Sequence, residues 1–124
     1  MSQNFNIASG TQTATAGGTE DTLNTESGAG VFTLTVNLKN LVNGDVVVLR
    51  AYQKVLTGDS QQFECYNAVF SNVQGDAAAV GSNAQGDVVT ASPPLVSGAA
   101  SLVFTLTQTA GAARTFPWRV DQLS

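Results

Sequence analysis

The stretch VFTLTVNLK, residues 31–39, decides the fold class. From Phe32 to Lys39, apolar and polar side chains alternate without interruption. A period of two residues is typical of a strand with one buried and one solvated face, because successive side chains of a strand point to opposite sides. Segment 101–109 repeats the pattern, with Leu102, Phe104 and Leu106 at alternate positions. Both stretches are therefore predicted to be half-buried strands.

Further strands are predicted on either side of these two, at 46–55, 62–73, 87–91 and 115–123. Segments rich in Gly, Asn, Asp and Pro separate them, and no stretch has a helical period long enough to form a helix. Short strands at this turn spacing predict an all-β fold, a single β-sandwich of the Ig-like or jelly-roll type. The side chains expected between the two sheets are Phe32, Leu34, Leu49, Phe63, Phe104, Leu106, Phe116 and Trp118.

Two local irregularities are expected within these strands. Val69 and Phe70 are adjacent, and both are apolar and expected to face inward. Because adjacent side chains of a regular strand point to opposite faces, a bulge is predicted between them. Pro117 has no N–H to donate to a ladder, so its strand is expected at a sheet edge or at a bulge.

The first 30 residues differ in composition from the rest. Thr, Ser, Gly, Ala and Asn dominate, and the few larger apolar side chains are Phe5, Ile7 and Leu23. A segment with so little apolar surface gains order when something else covers it. The sequence therefore predicts two units, an extended N-terminal arm over 1–30 and a sandwich domain over 31–124. Phe5, Ile7 and Leu23 are the expected anchors of the arm on a neighbouring surface or subunit.

The residue counts exclude several classes of chemistry. The chain of 124 residues has one cysteine and no histidine, which argues against zinc sites, Ser-His or Cys-His catalysis and disulfide frameworks. A domain of this size can form a core without metals or disulfides, and Cys65 is expected to be a small, buried side chain. We therefore expect no enzymatic activity and no cofactor.

The charges argue against nucleic acid as a partner. Nine acidic residues against five basic ones give a net charge of −4, and the basic residues are scattered along the sequence. Nucleic-acid binding needs clustered Lys and Arg. No apolar run is long enough to cross a membrane, and the first residues lack the pattern of a secretion signal.

Two groups of residues are candidate binding sites. The four Gly-Asp pairs, which end at Asp45, Asp59, Asp76 and Asp87, are more typical of turns than of calcium loops, since each turn carries a single acid. Tyr52, Tyr66 and Trp118 are candidate platforms for a sugar, although the same residues are equally typical of strands and core.

Two stretches resemble a known group of proteins. FTLTQTAGAARTFPW, residues 104–118, together with NGDVVVLRAYQK, residues 43–54, resembles small virion proteins of tailed bacteriophages. The resemblance covers about residues 31–123 and implies an Ig-like or jelly-roll sandwich that serves as a capsid decoration ("cement") protein or another structural part. It carries no catalytic residues.

The expected function is accordingly a non-enzymatic capsid decoration protein that stabilises the shell by bridging major capsid subunits. We expect a homotrimer, since local three-fold points recur on capsids, made in the host cytoplasm and located on the capsid surface, with no nucleic acid or membrane as partner. The alternative is a tail- or fibre-associated module that binds host-surface carbohydrate. A third reading, a hydrolase, would require two close carboxylates in a cleft.

Overall fold

The computed structural model describes residues 4–15, 17–26, 30–54, 62–72, 89–97 and 102–123. These residues form the strands β1 (Asn4–Thr13), β2 (Glu20–Glu26), β3 (Gly30–Asn37), β4 (Val46–Gln53), β5 (Phe63–Ser71), β6 (Val89–Ala91), β7 (Leu95–Ser97), β8 (Leu102–Ala110) and β9 (Thr115–Leu123). No helix within the described ranges is long and apolar enough to span a membrane.

The strands build two antiparallel sheets. Sheet A has the order β1-β9-β3-β6, and β7 pairs with the other end of β3. Sheet B has the order β2-β8-β4-β5. Side chains from the facing sides of the two sheets fill the space between them. The prediction of an all-β sandwich is thus confirmed.

The core follows the alternation seen in the sequence. Even-numbered side chains of β3, β8 and β9 point inward, as do the odd-numbered ones of β4. The buried apolar residues of these four strands at the sheet interface are Phe32, Leu34, Val36, Val47, Leu49, Ala51, Leu102, Phe104, Leu106, Phe116 and Val120. Trp118 is only half-buried, but it packs against this cluster as expected.

Two residues of β5 are more exposed than predicted. Phe63 is 46% exposed and Val69 is 60% exposed, whereas Phe70 packs against the core as predicted. The pairing of β4 with β5 is irregular between Ala51 and Tyr52, opposite Cys65, and is regular at Val69. The irregularity therefore lies at Cys65 rather than after Val69, and this shift of register places Val69 on the outer face.

Pro117 lies in an inner strand, because β9 runs between β1 and β3. The ladder between β9 and β3 runs from Leu123 back to Trp118, which pairs with Val36, and it does not include the preceding residue, Pro117. β9 as a whole is not an edge strand, but among the described residues Pro117 pairs only with β1, so the expected edge position holds locally. The missing N–H is tolerated because the ladder to β3 has already ended at this position.

The N-terminal segment differs from the predicted arm. Residues 4–13 pair along their length with β9, and residues 20–26 pair with β8. Both strands therefore belong to the sheets of the chain itself. Main-chain hydrogen bonds of a ladder require no apolar side chains, so composition alone did not reveal these strands.

Candidate functional site

A polar concavity lies on the outer face of sheet B. We call it the Tyr52 groove; it has a volume of about 490 Å³ and is lined by Glu20, Thr22, Tyr52, Gln62, Val103 and Thr105. Three neighbouring strands supply its centre, since Glu20 lies in β2, Thr105 in β8 and Tyr52 in β4. The outward positions of Tyr52 and Thr105 follow from the alternation that sends their neighbours Ala51 and Leu106 into the core.

The carboxylate of Glu20 organises this groove. Its Oε2 atom accepts hydrogen bonds from the Tyr52 hydroxyl at 2.7 Å and from the Thr105 hydroxyl at 2.6 Å. The Nη1 atom of Arg50 lies 3.7 Å from the same oxygen. Burial by itself raises the pKa of Glu20, but the two hydrogen bonds and the charge of Arg50 outweigh it, so that the pKa is lowered overall.

Arg50 also reaches a second acidic residue on the same face. Its Nε atom lies 3.4 Å from Oε1 of Glu64, an oxygen that also accepts a hydrogen bond from the Asn67 side chain. One guanidinium group thus lies between two carboxylates, and its charge contributes to the lowered pKa of Glu20. A glycosidase acid needs a carboxyl group whose pKa is raised, and the lowered pKa of Glu20 is opposite to this requirement.

The three aromatic candidates have different environments. Tyr52 lines the groove. Its pKa is raised, mainly by burial and to a smaller extent by its hydrogen bond to Glu20. Tyr66 packs against the core, where burial raises its pKa. Trp118 lines a separate outer concavity of about 370 Å³ on sheet A and lies against Gly10, where an added Cβ would be 3.4 Å from its ring. The structure therefore brings no two of them into one site.

The Gly-Asp turn at Asp45 serves a structural purpose. Its carboxylate is buried and accepts hydrogen bonds from the Val42 N–H and from Arg114, so it is not available for calcium. The other three Gly-Asp pairs lie outside the described residues. Within the described ranges, no group of three or more metal-ligating side chains occurs.

The three proposed anchors have unequal access to a partner. Leu23 is 9% exposed and belongs to the core, so its side chain is used within the chain. Ile7 lies at an irregularity of β1 and packs partly on the core. The backbone of Phe5 lies opposite Gln122, and the Phe5 side chain is outside the described residues. A role of these residues in partner binding stays a prediction.

Sequence reasoning did not identify Glu20 and Thr105 as site residues. Glu20 lies 32 positions from Tyr52 and 85 positions from Thr105, so no local motif connects them. The sequence does predict that Tyr52 and Thr105 face outward, because both occupy the polar positions of strands with apolar alternation. The pairing of β2 with β8 was needed to add Glu20.

The comparisons with known proteins concern the fold. No family model and no curated protein matches this sequence. Among solved structures, the chain is similar over 99% of its length to part of a chain in the structure of infectious bursal disease virus Gx strain, with a TM-score of 0.56 and 12% identity. The infectious bursal disease virus VP2 subviral particle gives a TM-score of 0.50 and 10% identity, again over 99% of this chain. The chain spans only 31% and 32% of those longer chains. It therefore shares a β-sandwich fold with one part of chains that belong to viral particles.

Proposed function

We propose that this chain is a non-enzymatic virion structural protein, a capsid decoration protein that stabilises the shell by bridging major capsid subunits. The observation that carries the proposal is the fold similarity over 99% of the chain to chains of viral particles. The bacteriophage resemblance of residues 43–54 and 104–118 points to the same class of protein.

The surface of the sandwich suits contacts with other proteins. Large apolar side chains are exposed at both sheets, with Val89 and Val96 on sheet A and Phe63 and Val69 on sheet B. The charged groups Glu20, Arg50 and Glu64 neutralise one another in part. Exposed apolar side chains beside charges that neutralise one another in part are typical of a surface that packs against other subunits.

The proposal also covers the location of the protein and its oligomeric state. The protein is made in the host cytoplasm, binds the outer surface of the shell and forms a homotrimer at local three-fold points, where symmetry repeats each small contact. The N-terminal segment contributes through β1, which lies at the edge of sheet A, with Phe5 and Ile7 as contact residues. Leu23 supports this segment from the core.

The test uses virus particles assembled without this protein. Purified full-length chain is added back, and binding is measured by co-sedimentation, followed by electron microscopy of the decorated shells. We expect saturable binding at a defined symmetry point and a shell that resists heating better. A chain that never co-sediments with the particles, or that occurs only on tails, would contradict the proposal.

Paired variants locate the contact surface. Val89→Asp with Val96→Asp places charges on sheet A, and Phe63→Asp with Val69→Asp places them on sheet B. Because all four side chains are largely exposed, both double variants should fold. At least one should bind shells about tenfold or more weakly, as expected for charges introduced into an apolar contact. Unchanged binding by both would argue against these surfaces.

A second candidate function is carbohydrate binding by a tail- or fibre-associated module. The Tyr52 groove favours it, because an aromatic ring lies beside a charged carboxylate and the Gln62 and Thr22 side chains. Sugar hydroxyl groups bind such acceptors, and sugar C–H faces stack on aromatic rings. Screening the chain on a glycan array, with Tyr52→Ala beside Tyr66→Phe as control, tests this function. Binding that Tyr52→Ala abolishes would support it, and an array without any binder would exclude it.

A further inference from the structure

The first strand has one side of its backbone without a partner in the chain. β1 forms the edge of sheet A and pairs with β9 only, as far as the described residues show. The N–H of Ala14 donates to the carbonyl of Arg114 at 2.9 Å, next to the end of this ladder. Because N–H groups alternate sides along a strand, those of Gly10 and Gln12 also face β9. The main-chain groups of Ser9 and Thr11 therefore face away from the sheet.

The other edges carry features that discourage pairing. β2 contains Glu20, Asp21 and Glu26, and β5 contains Glu64 and the irregularity at Cys65. On the far side of β3, β6 and β7 have three residues each and are separated by Pro93 and Pro94. Charges, irregularities, proline and short length are the means by which sheet edges avoid adding strands.

β1 is different in each of these respects. It has 10 residues, NFNIASGTQT, with no charged residue and no proline. Its one irregularity, between Asn6 and Ala8, leaves residues 8–13 in regular register with β9. Ser9 and Thr11 are exposed and small, so they leave room for another strand. Among the contacts of the described residues, one covers an outward group: the Gln12 side chain donates to the carbonyl of Thr13 at 2.9 Å.

We infer that β1 pairs antiparallel with β1 of a second copy of this chain across a two-fold axis. In such a pair every side chain of β1 faces a side chain of the same segment, and an uncharged segment then brings no like charges together. The exposed hydroxyl groups of Ser9 and Thr11 suit cross-strand hydrogen bonds. The two A sheets become one continuous sheet. This pairing does not depend on the virion role. It concerns the free chain, whereas the trimer is proposed for the chain bound at local three-fold points of the shell.

The first experiment measures the mass of the full chain by sedimentation over a range of concentrations. We expect a dimer, and we expect Thr11→Pro to weaken it by about tenfold or more, since proline removes the outward N–H and its symmetry mate. Thr11→Ser is the matched control, because it keeps both the N–H and the hydroxyl group, and it should dimerise like the original chain. A monomer at every concentration, or a Thr11→Pro variant with unchanged dimerisation, would overturn the inference.

Charge exchange tests the pairing even if Thr11→Pro does not fold. Ser9→Lys with Thr11→Lys, and Ser9→Glu with Thr11→Glu, should each be monomeric, whereas a mixture of the two should form a heterodimer. Val96→Lys carries a charge on the opposite edge of sheet A and should dimerise normally. Loss of association in Val96→Lys would instead indicate head-to-tail contact between the two edges, and a mixture that stays monomeric would contradict β1–β1 pairing.

Discussion

Arg114 binds the buried carboxylate of Asp45 from a different loop, with its Nε atom 2.8 Å from Oδ2. Asp45 precedes β4, and Arg114 precedes β9. The carbonyl of Asp45 also accepts the N–H of Asn72 at the end of β5. On the Arg114 side, the Gln108 amide donates to the carbonyls of Ala110 and Ala112 and accepts the N–H of Arg114. Asp45 thus ties together three connections at one end of the sandwich, two through its carboxylate (Val42 and Arg114) and one through its main-chain carbonyl (Asn72).

Replacement of Arg114 should destabilise the fold. Arg114→Met leaves the Asp45 carboxylate, whose side chain is 2% exposed, without its counter-charge, and we expect a loss of about 3 kcal/mol in the free energy of unfolding. Arg119→Met is the control, because the Arg119 side chain is 58% exposed in its pair with Asp121; its loss should stay below about 1 kcal/mol. Urea denaturation measures both, and equal losses would contradict this account of Asp45.

Alanine substitutions at two glycines near Asp45 distinguish the cost of backbone strain from the cost of steric overlap. Gly44 has φ +98° with open space around a Cβ, whereas Gly111 has φ +89° and a Cβ there would overlap the Asp45 carboxylate. Gly44→Ala should therefore cost about 1 kcal/mol, from strain alone. Gly111→Ala should cost about 3 kcal/mol, because the carboxylate must also move. Thermal unfolding compares them, and the reverse order would show that the loop adapts around Asp45.

Phe104 and Phe63 differ in burial, so their truncation should have different effects on stability. Phe104 is fully buried between the sheets, and Phe63 is 46% exposed on β5. Phe104→Ala should lower the free energy of unfolding by about 3–5 kcal/mol through lost burial and a cavity. Phe63→Ala should change it by less than about 1 kcal/mol. Denaturant titration of both variants provides the measurement, and a large loss in Phe63→Ala would mean that Phe63 packs more tightly than its exposure indicates.

The Tyr52 groove should make stability depend on pH in the acid range. The pKa of Glu20 is lowered in the folded state from its ordinary value of 4.5. The charged carboxylate therefore stabilises the folded state above about pH 4.5, and this contribution is lost as the pH falls through the lowered pKa. Glu20→Gln should be less stable than the original chain near neutral pH, and the difference should shrink on acidification. A difference that stays constant down to about pH 3 would contradict the lowered pKa.

The sequence was sufficient where apolar alternation is strict. β3, β8 and β9 follow directly from side chains such as Phe32, Phe104 and Phe116, which are all buried. It was insufficient for β1 and β2, because their order comes from ladders with distant strands. β1 pairs with β9, more than about 100 positions away, and β2 pairs with β8, about 80 positions away. It also misplaced Val69, since the irregularity at Cys65 depends on how β5 aligns with β4. The Tyr52 groove needed the same long-range pairing to bring Glu20 beside Thr105.

The pairing of the first strand with the last has a consequence for how this sandwich can be joined to other polypeptide. Asn4 lies directly opposite Leu123 in the ladder of β1 and β9, so the backbone enters and leaves at one corner. A unit of this kind fits into a surface loop of a host domain, because the loop ends need to separate by no more than the spacing of two adjacent strands, about 5 Å. Circular permutation of the sandwich, with a short linker from Leu123 to Asn4, is open to it for the same reason.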